Sequence, residues 1–224
     1  MNDINGRHVK SEDVIAAVED ARGGPLEEGS VGGGTGMRCF EFKGGSGTAS
    51  RLVDYAGQTF AVGAFVQSNF GRRHQLTIAG VPVGLELPLA ADAGPENGSI
   101  IGIVATDAPM APHQLRRLAR RAAYGVSACG GTASNESGDL FLAFSTANAE
   151  AVEAHGGIVT ARLLGEEAMS RFYEATSQAV EEAIMNSLFA NETMTGRDGF
   201  TAPGLPVAEV QAILRKYNRL DRVI

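Results

Sequence analysis

The chain has 224 residues, 44% of them hydrophobic, and a formal net charge of −7, which suits one large domain or two small ones with a substantial core. Its acidic balance offers no general attraction to phosphate backbones or anionic lipid, so neither nucleic acid nor a membrane is an expected partner. Met1 to Lys10 holds no apolar signal core and no apolar run approaches a bilayer span, while Cys39 and Cys129 are too few for a disulfide framework or a zinc site, so a cytoplasmic setting is expected.

In chain order, Ser11 to Arg22 places Val14, Ile15, Val18 and Ala21 on one helical face, with Ser11 as N-cap and Gly23-Gly24-Pro25 as the stop. Gly29 to Gly36 reads as a glycine-dense loop, Met37 to Lys43 as an alternating strand, and Gly44 to Gly47 as a second glycine loop. Thr59 to Gln67 is apolar on both parities, the pattern of a strand buried on two sides. Arg72 to Gly98 mixes a short Leu76 to Ile78 strand with Pro, Gly and acidic residues and reads as an exposed loop. Ser99 to Thr106 is strand-like, and Pro112 opens a helix through about Tyr124. That helix buries Leu115, Leu118, Ala119 and Ala122 and leaves Arg116, Arg117, Arg120 and Arg121 on a solvated face. Asp139 to Thr146 alternates as a strand. Glu166 to Ala190 is the longest helix, with Met169, Phe172, Tyr173, Thr176, Val180, Ala183, Ile184 and Leu188 as its core stripe. Val207 to Tyr217 closes the series with Val210, Ile213, Leu214 and Tyr217 at helical spacing. Interleaved strands and helices without a repeat imply helices layered on sheet.

Few familiar motifs stand up. Gly45-x-Gly47-x-x-Ser50 lacks the third glycine of a dinucleotide fingerprint, and there is no Walker loop. His8, His74, His113 and His155 have neither zinc-ligand nor catalytic-triad spacing. Asn97, Asn135 and Asn191 head glycosylation sequons that have no consequence without a secretory signal. The chemically informative stretch is Asn97-Gly98-Ser99-Ile100-Ile101. Uncut, Asn97-Gly98 is most simply a tight turn, and Ser137-Gly138-Asp139 a loop before a strand. Cut after Gly98, Ser99 would carry a hydroxyl nucleophile and a free α-amine that titrates near pH 7.7–8.0, a suitable general base.

Read together, GGGTGMRCFEFKGGSGTASR (Gly32 to Arg51), VGAFVQSNFG (Val62 to Gly71), NGSIIGIVATDAPMAPHQLRRLARR (Asn97 to Arg121) and NESGDLFLAFSTAN (Asn135 to Asn148), with a C-terminal DGFTAPGLPVAEVQAILRKY, resemble the DmpA-type family of self-processing N-terminal-nucleophile aminopeptidases. The resemblance implies an α+β fold, a four-layer αββα sandwich, in one peptidase domain cut into an α chain of 1–98 and a β chain of 99–224. It implies Ser99 as nucleophile, freed by autocleavage of the Gly98–Ser99 bond, and Asn69 as oxyanion donor. Ser137 would bridge to Ser99, and Asp139 would orient Ser137 and stabilise the ammonium. Gly98, lacking a Cβ, would allow the strained geometry that cleavage needs. No metal or organic cofactor is implied. The implied substrate is a short peptide, amide or ester, and the implied assembly a homo-oligomer of αβ units. Two alternatives share the fold: an acyltransferase resembling ornithine acetyltransferases, which use threonine where Ser99 stands, and a non-catalytic binding module. The family's longer N-terminal segment is not matched ahead of Met1 to Gly6, so the sheet is expected to expose an edge and apolar surface that favour association.

Overall fold

A four-stranded sheet with helices on one face positions everything that follows. The computed structural model describes residues 1–88, 98–153 and 156–220, so Asn97, His155 and the 89–97 part of the expected loop lie outside the described residues. The N-terminal helix α1 is Ser11–Glu19, preceded by Lys10 rather than Ser11 as N-cap, with the Lys10 N–H donating to Asp13 Oδ2. Its apolar residues Val14, Ile15 and Val18 are exposed.

The expected single strand over Met37 to Lys43 is instead a small hairpin, β1 (Arg38–Cys39) against β2 (Phe42–Lys43). Phe40 and Glu41, at its tip, both have positive φ, 50° and 64°. Such a turn normally selects Gly, Asn or Asp, so composition hides it. The tip is held because the Phe40 N–H donates to Phe70 O and the two rings meet edge to face with centroids 5.1 Å apart.

The main sheet has the order β3 (Gly45–Tyr55), β4 (Gln58–Asn69), β5 (Ser99–Thr106), β6 (Leu140–Ser145). The β3–β4 and β4–β5 pairs are antiparallel, while β5 and β6 are parallel and joined across α3 (Pro112–Ala128). Strand β3 replaces the second glycine loop, and glycine is there for the helix behind it: a Cβ on Gly47 would lie 2.0 Å from Ala183 O. Between β4 and β5 the expected Leu76 to Ile78 strand reduces to one bridge, Ile78 to Val81, followed by the short helix α2 (Val83–Glu86).

After β6 come α4 (Ala149–Glu153) and the long α5 (Met169–Phe189), the latter entered through a 3-10 turn at Glu166–Ala168. A minor hairpin, β7 (Met194–Thr195) with β8 (Thr201–Ala202), precedes α6 (Val207–Lys216). The core stripe of α5 behaves as its periodicity requires: Phe172, Val180, Ala183, Ile184 and Leu188 are fully buried against β3, β4 and α3, each of the larger ones contributing about 1.5–3 kcal/mol. In α3, Leu118 and Ala122 are buried, whereas Arg117 pairs with Glu166 at 2.5 Å and Arg121 stacks on Tyr173. Arg116 and Arg120 are exposed, so the arginines form a face that is solvated at two positions and held by an ion pair and a ring contact at the other two.

Strand alternation divides the sheet into two faces. Val62, Ala64, Val66, Ile100 and Val104 point to the helices and are buried, whereas Leu52, Ile101, Leu140, Leu142 and Phe144 point the other way and are exposed. The described residues thus form a helical layer and a sheet layer of the expected mixed fold, with the second sheet face apolar and open to solvent. No described helix is long and apolar enough to cross a membrane.

Candidate active site

Asn69 ends β4 and Ser99 begins β5, and the antiparallel register sets them directly opposite each other. Both lie on the open face, since Gln67, Asn69, Ser99 and Ile101 share one parity. The helix-facing neighbours Ser68 and Ile100 are fully buried. Their burial fixes which way the two polar side chains point, because a one-residue slip would turn every side chain over.

The Ser99 hydroxyl oxygen accepts the Gly138 N–H at 2.8 Å. Asp139 Oδ1 accepts the Ser137 hydroxyl at 2.5 Å and the Ile100 N–H at 3.1 Å. The parallel pairing of β6 on β5 brings this loop to Ser99, since Leu140, the residue after Asp139, is in register with Ile101. The expected Ser137 to Ser99 bridge is absent among the described residues. Ser137 is turned to Asp139, and a backbone N–H makes the contact with the nucleophile candidate. That donor is Gly138, a residue without a side chain to signal it.

Asn69 is held from the other side. Its Oδ1 accepts the Arg38 N–H at 2.9 Å, so the β1–β2 hairpin orients the amide and leaves Nδ2 to face the junction. A Cβ on residue 98 would lie 1.9 Å from the Asn69 carbonyl oxygen and 3.2 Å from its Nδ2. This close approach to the Asn69 backbone favours glycine at 98. The Gly98–Ser99 peptide, where cleavage is expected, is therefore pressed against Asn69, the expected oxyanion donor.

An open cleft of about 450 Å³ runs over this junction, lined by Met37, Gln67, Asn69, Gly98, Ser99, Ile101 and Glu136. The glycine-rich segment packs on its edge, since a Cβ on Gly33 would lie 2.2 Å from Gln67 Nε2. Gln67 was recoverable from sequence by counting two residues back from Asn69 along a strand. Other reactive groups are set apart. Cys39 is fully buried, and burial pushes its thiol up to about 12, so it is no competing nucleophile at neutral pH. His8 lies 3.6 Å from Asp3 and His113 3.4 Å from Glu166, and no described histidine lines the cleft. No group of three His, Cys, Asp or Glu side chains placed to hold a metal occurs among the described residues.

Comparison with known proteins gives this geometry a context. The chain matches the model of peptidase family S58 over residues 1–202. It is similar to beta-peptidyl aminopeptidase BapA of Sphingosinicella microcystinivorans, 49% identical over 235 residues that cover 98% of this chain and 59% of the relative. Among solved structures it is similar to the L-aminopeptidase D-Ala-esterase/amidase of Ochrobactrum anthropi, described as a new variant among the Ntn hydrolase fold. There the TM-score is 0.88 at 42% identity, covering 97% of this chain and 60% of that one. A Burkholderia sp. beta-aminopeptidase gives a TM-score of 0.84 at 42% identity, covering 96% and 61%. The chain thus spans about three-fifths of the length of these relatives and adopts their fold over the shared part. It belongs to peptidase family S58.

Proposed function

We propose that this chain is a serine N-terminal-nucleophile aminopeptidase that removes N-terminal residues from short peptides, amides or esters after its own Gly98–Ser99 bond is cut. The observation that carries the reading is the junction itself: Ser99 Oγ is fixed by the Gly138 N–H, opposite Asn69, beside a glycine whose missing Cβ would clash with the Asn69 carbonyl oxygen. In processing, Ser99 Oγ attacks the Gly98 carbonyl carbon, the C–N bond breaks, and the nitrogen takes the hydroxyl proton. The resulting ester is hydrolysed by water, releasing a 1–98 chain that ends in the Gly98 carboxylate and a 99–224 chain that begins with free Ser99. In turnover, the Ser99 amine accepts the hydroxyl proton as Oγ attacks the substrate carbonyl. Asn69 Nδ2 donates to the oxyanion, the amine leaves protonated, and water hydrolyses the acyl-enzyme. Asp139, which accepts from the Ile100 N–H at 3.1 Å, orients Ser137 and stabilises the ammonium state of the base.

The named relatives are aminopeptidases, which favours hydrolysis over acyl transfer. The exposed apolar sheet face supports assembly of αβ units into a homo-oligomer, and two free buried cysteines fit a cytoplasmic setting. Denaturing electrophoresis of the purified protein tests the reading. Two bands, the second beginning Ser-Ile-Ile, with hydrolysis of aminoacyl p-nitroanilides, are expected. A single unbroken chain that still hydrolyses them would overturn it.

A further inference from the structure

We infer that Glu136 selects a cationic side chain, such as that of lysine or ornithine, on the residue whose carbonyl Ser99 attacks. The inference deepens the reading of Ser99 as nucleophile by naming a substrate class for the same cleft. Met37 and Ile101 give that cleft apolar walls, Gln67 and Asn69 give it amides, and Glu136 is the one charged side chain among its described lining residues. Glu136 has no cationic partner among the described residues; its polar contact is the Asn135 amide, which donates to Oε1 at 3.2 Å. The second carboxylate at the junction, Asp139, is already committed, accepting from Ser137 and from the Ile100 N–H. The two acids therefore divide the site, one engaged with Ser137 and the β5 backbone and one open to a ligand.

Distance fits the same division. Gly138, whose N–H reaches Ser99 Oγ at 2.8 Å, follows Glu136 by two residues, so the Glu136 Cα lies within about 7.6 Å of the Gly138 Cα. A side chain at the rim of the cleft at this remove suits a charge carried away from the reacting carbonyl on a flexible stem of three or four carbons. The apolar walls would take the stem and Glu136 the ammonium. Because Glu136 is exposed, the gain is that of a solvent-accessible ion pair, about fivefold in affinity, and it weakens with salt.

Lysinol and norleucinol test this directly, because they share the α-ammonium, lack a scissile carbonyl and differ in the terminal cation. Dissociation constants from ligand-observed NMR, measured on the purified protein at low salt, are expected to favour lysinol about fivefold. The preference should vanish in Glu136→Gln and reverse in Glu136→Lys. Equal affinities in the unsubstituted protein, or a preference that persists in Glu136→Gln, would overturn the inference. Neither ligand is turned over, so the result is independent of catalysis. An uncut, inactive chain that still prefers lysinol through Glu136 would remove the nucleophile reading and leave the selectivity standing.

Discussion

Asn69 and Ser99 are register partners at the open end of the β4–β5 ladder, and the Asn69 amide is oriented by the Arg38 N–H on its oxygen. Its nitrogen is thereby presented to the junction without needing to rotate when charge develops, the condition under which a single oxyanion donor contributes most. Asn69→Asp keeps an acceptor for Arg38 and removes the donor. We expect it to slow both conversion to two chains and kcat of any processed protein by about 10²–10³-fold, with KM little changed. Stopped time courses on gels and anilide kinetics measure the two effects, and a normal kcat would remove Asn69 from the role.

Gly98→Ala addresses the junction sterically. The added Cβ would fall 1.9 Å from the Asn69 carbonyl oxygen, so the chain must withdraw residue 98 from Asn69. The Asn69–Ser99 pair is the last of its ladder, so the disturbance falls at the end of the sheet. We expect processing to slow at least about tenfold, while the thermal midpoint stays within a few degrees. Processing at the original rate would show that the approach of Gly98 to Asn69 is irrelevant to cleavage.

How much of this was legible in the sequence depends on whether a residue's role resides in its own side chain. Strand β5 begins and ends where its pattern says, and the α5 stripe is buried as its spacing demands, because both follow from apolar side chains seeking one face. Strand β3 was hidden because Gly45 and Gly47 read as loop punctuation, while their purpose lies in what approaches them. The hairpin at Phe40-Glu41 was hidden for the opposite reason: neither residue advertises a positive φ, and tertiary contact with Phe70 imposes it. At the site, Ser99, Asn69 and Asp139 carry polar side chains that the family resemblance, and not their spacing, singles out. The donors from Gly138 and Arg38 are backbone groups and leave no trace in residue identity.

Gly47→Ala tests that account of β3. Its Cβ would lie 2.0 Å from Ala183 O and 2.9 Å from the Ser187 Cβ, forcing α5 away from the sheet it covers. Overpacking of this kind costs about 1–3 kcal/mol, which for a chain of this size lowers Tm by roughly 2–12 °C. Gly23→Ala is the matched control, because nothing lies within 4 Å of its Cβ position and its φ is not positive. That change should be neutral or stabilise by about 0.4–1 kcal/mol. Differential scanning calorimetry of the pair decides between a packing role and a merely permissive loop at Gly47.

Lys43 gives the fold a pH signature. Its side chain is fully buried, its ammonium donates to the carbonyl oxygens of Gly34 and Gly44, and burial pushes its pKa down to about 8 from an ordinary 10.5. Between those values the unfolded chain binds more protons at this residue than the folded one, so stability rises with pH. Below about pH 8 the amine is charged in the folded and the unfolded chain alike, and the penalty of burying it is present in full. Cys39 acts in the other sense, with its thiol pushed up from 9.0 to about 12, so the folded state holds the extra proton above pH 9 and stability is lost there. Burial raises Cys129 in the same direction. The lysine effect therefore stands clear of the cysteines between about pH 8 and 9. Urea midpoints measured at closely spaced pH values across that interval should climb, and in Lys43→Met the climb should disappear. A flat profile in the unsubstituted protein would mean that the Lys43 amine reaches water in the folded state.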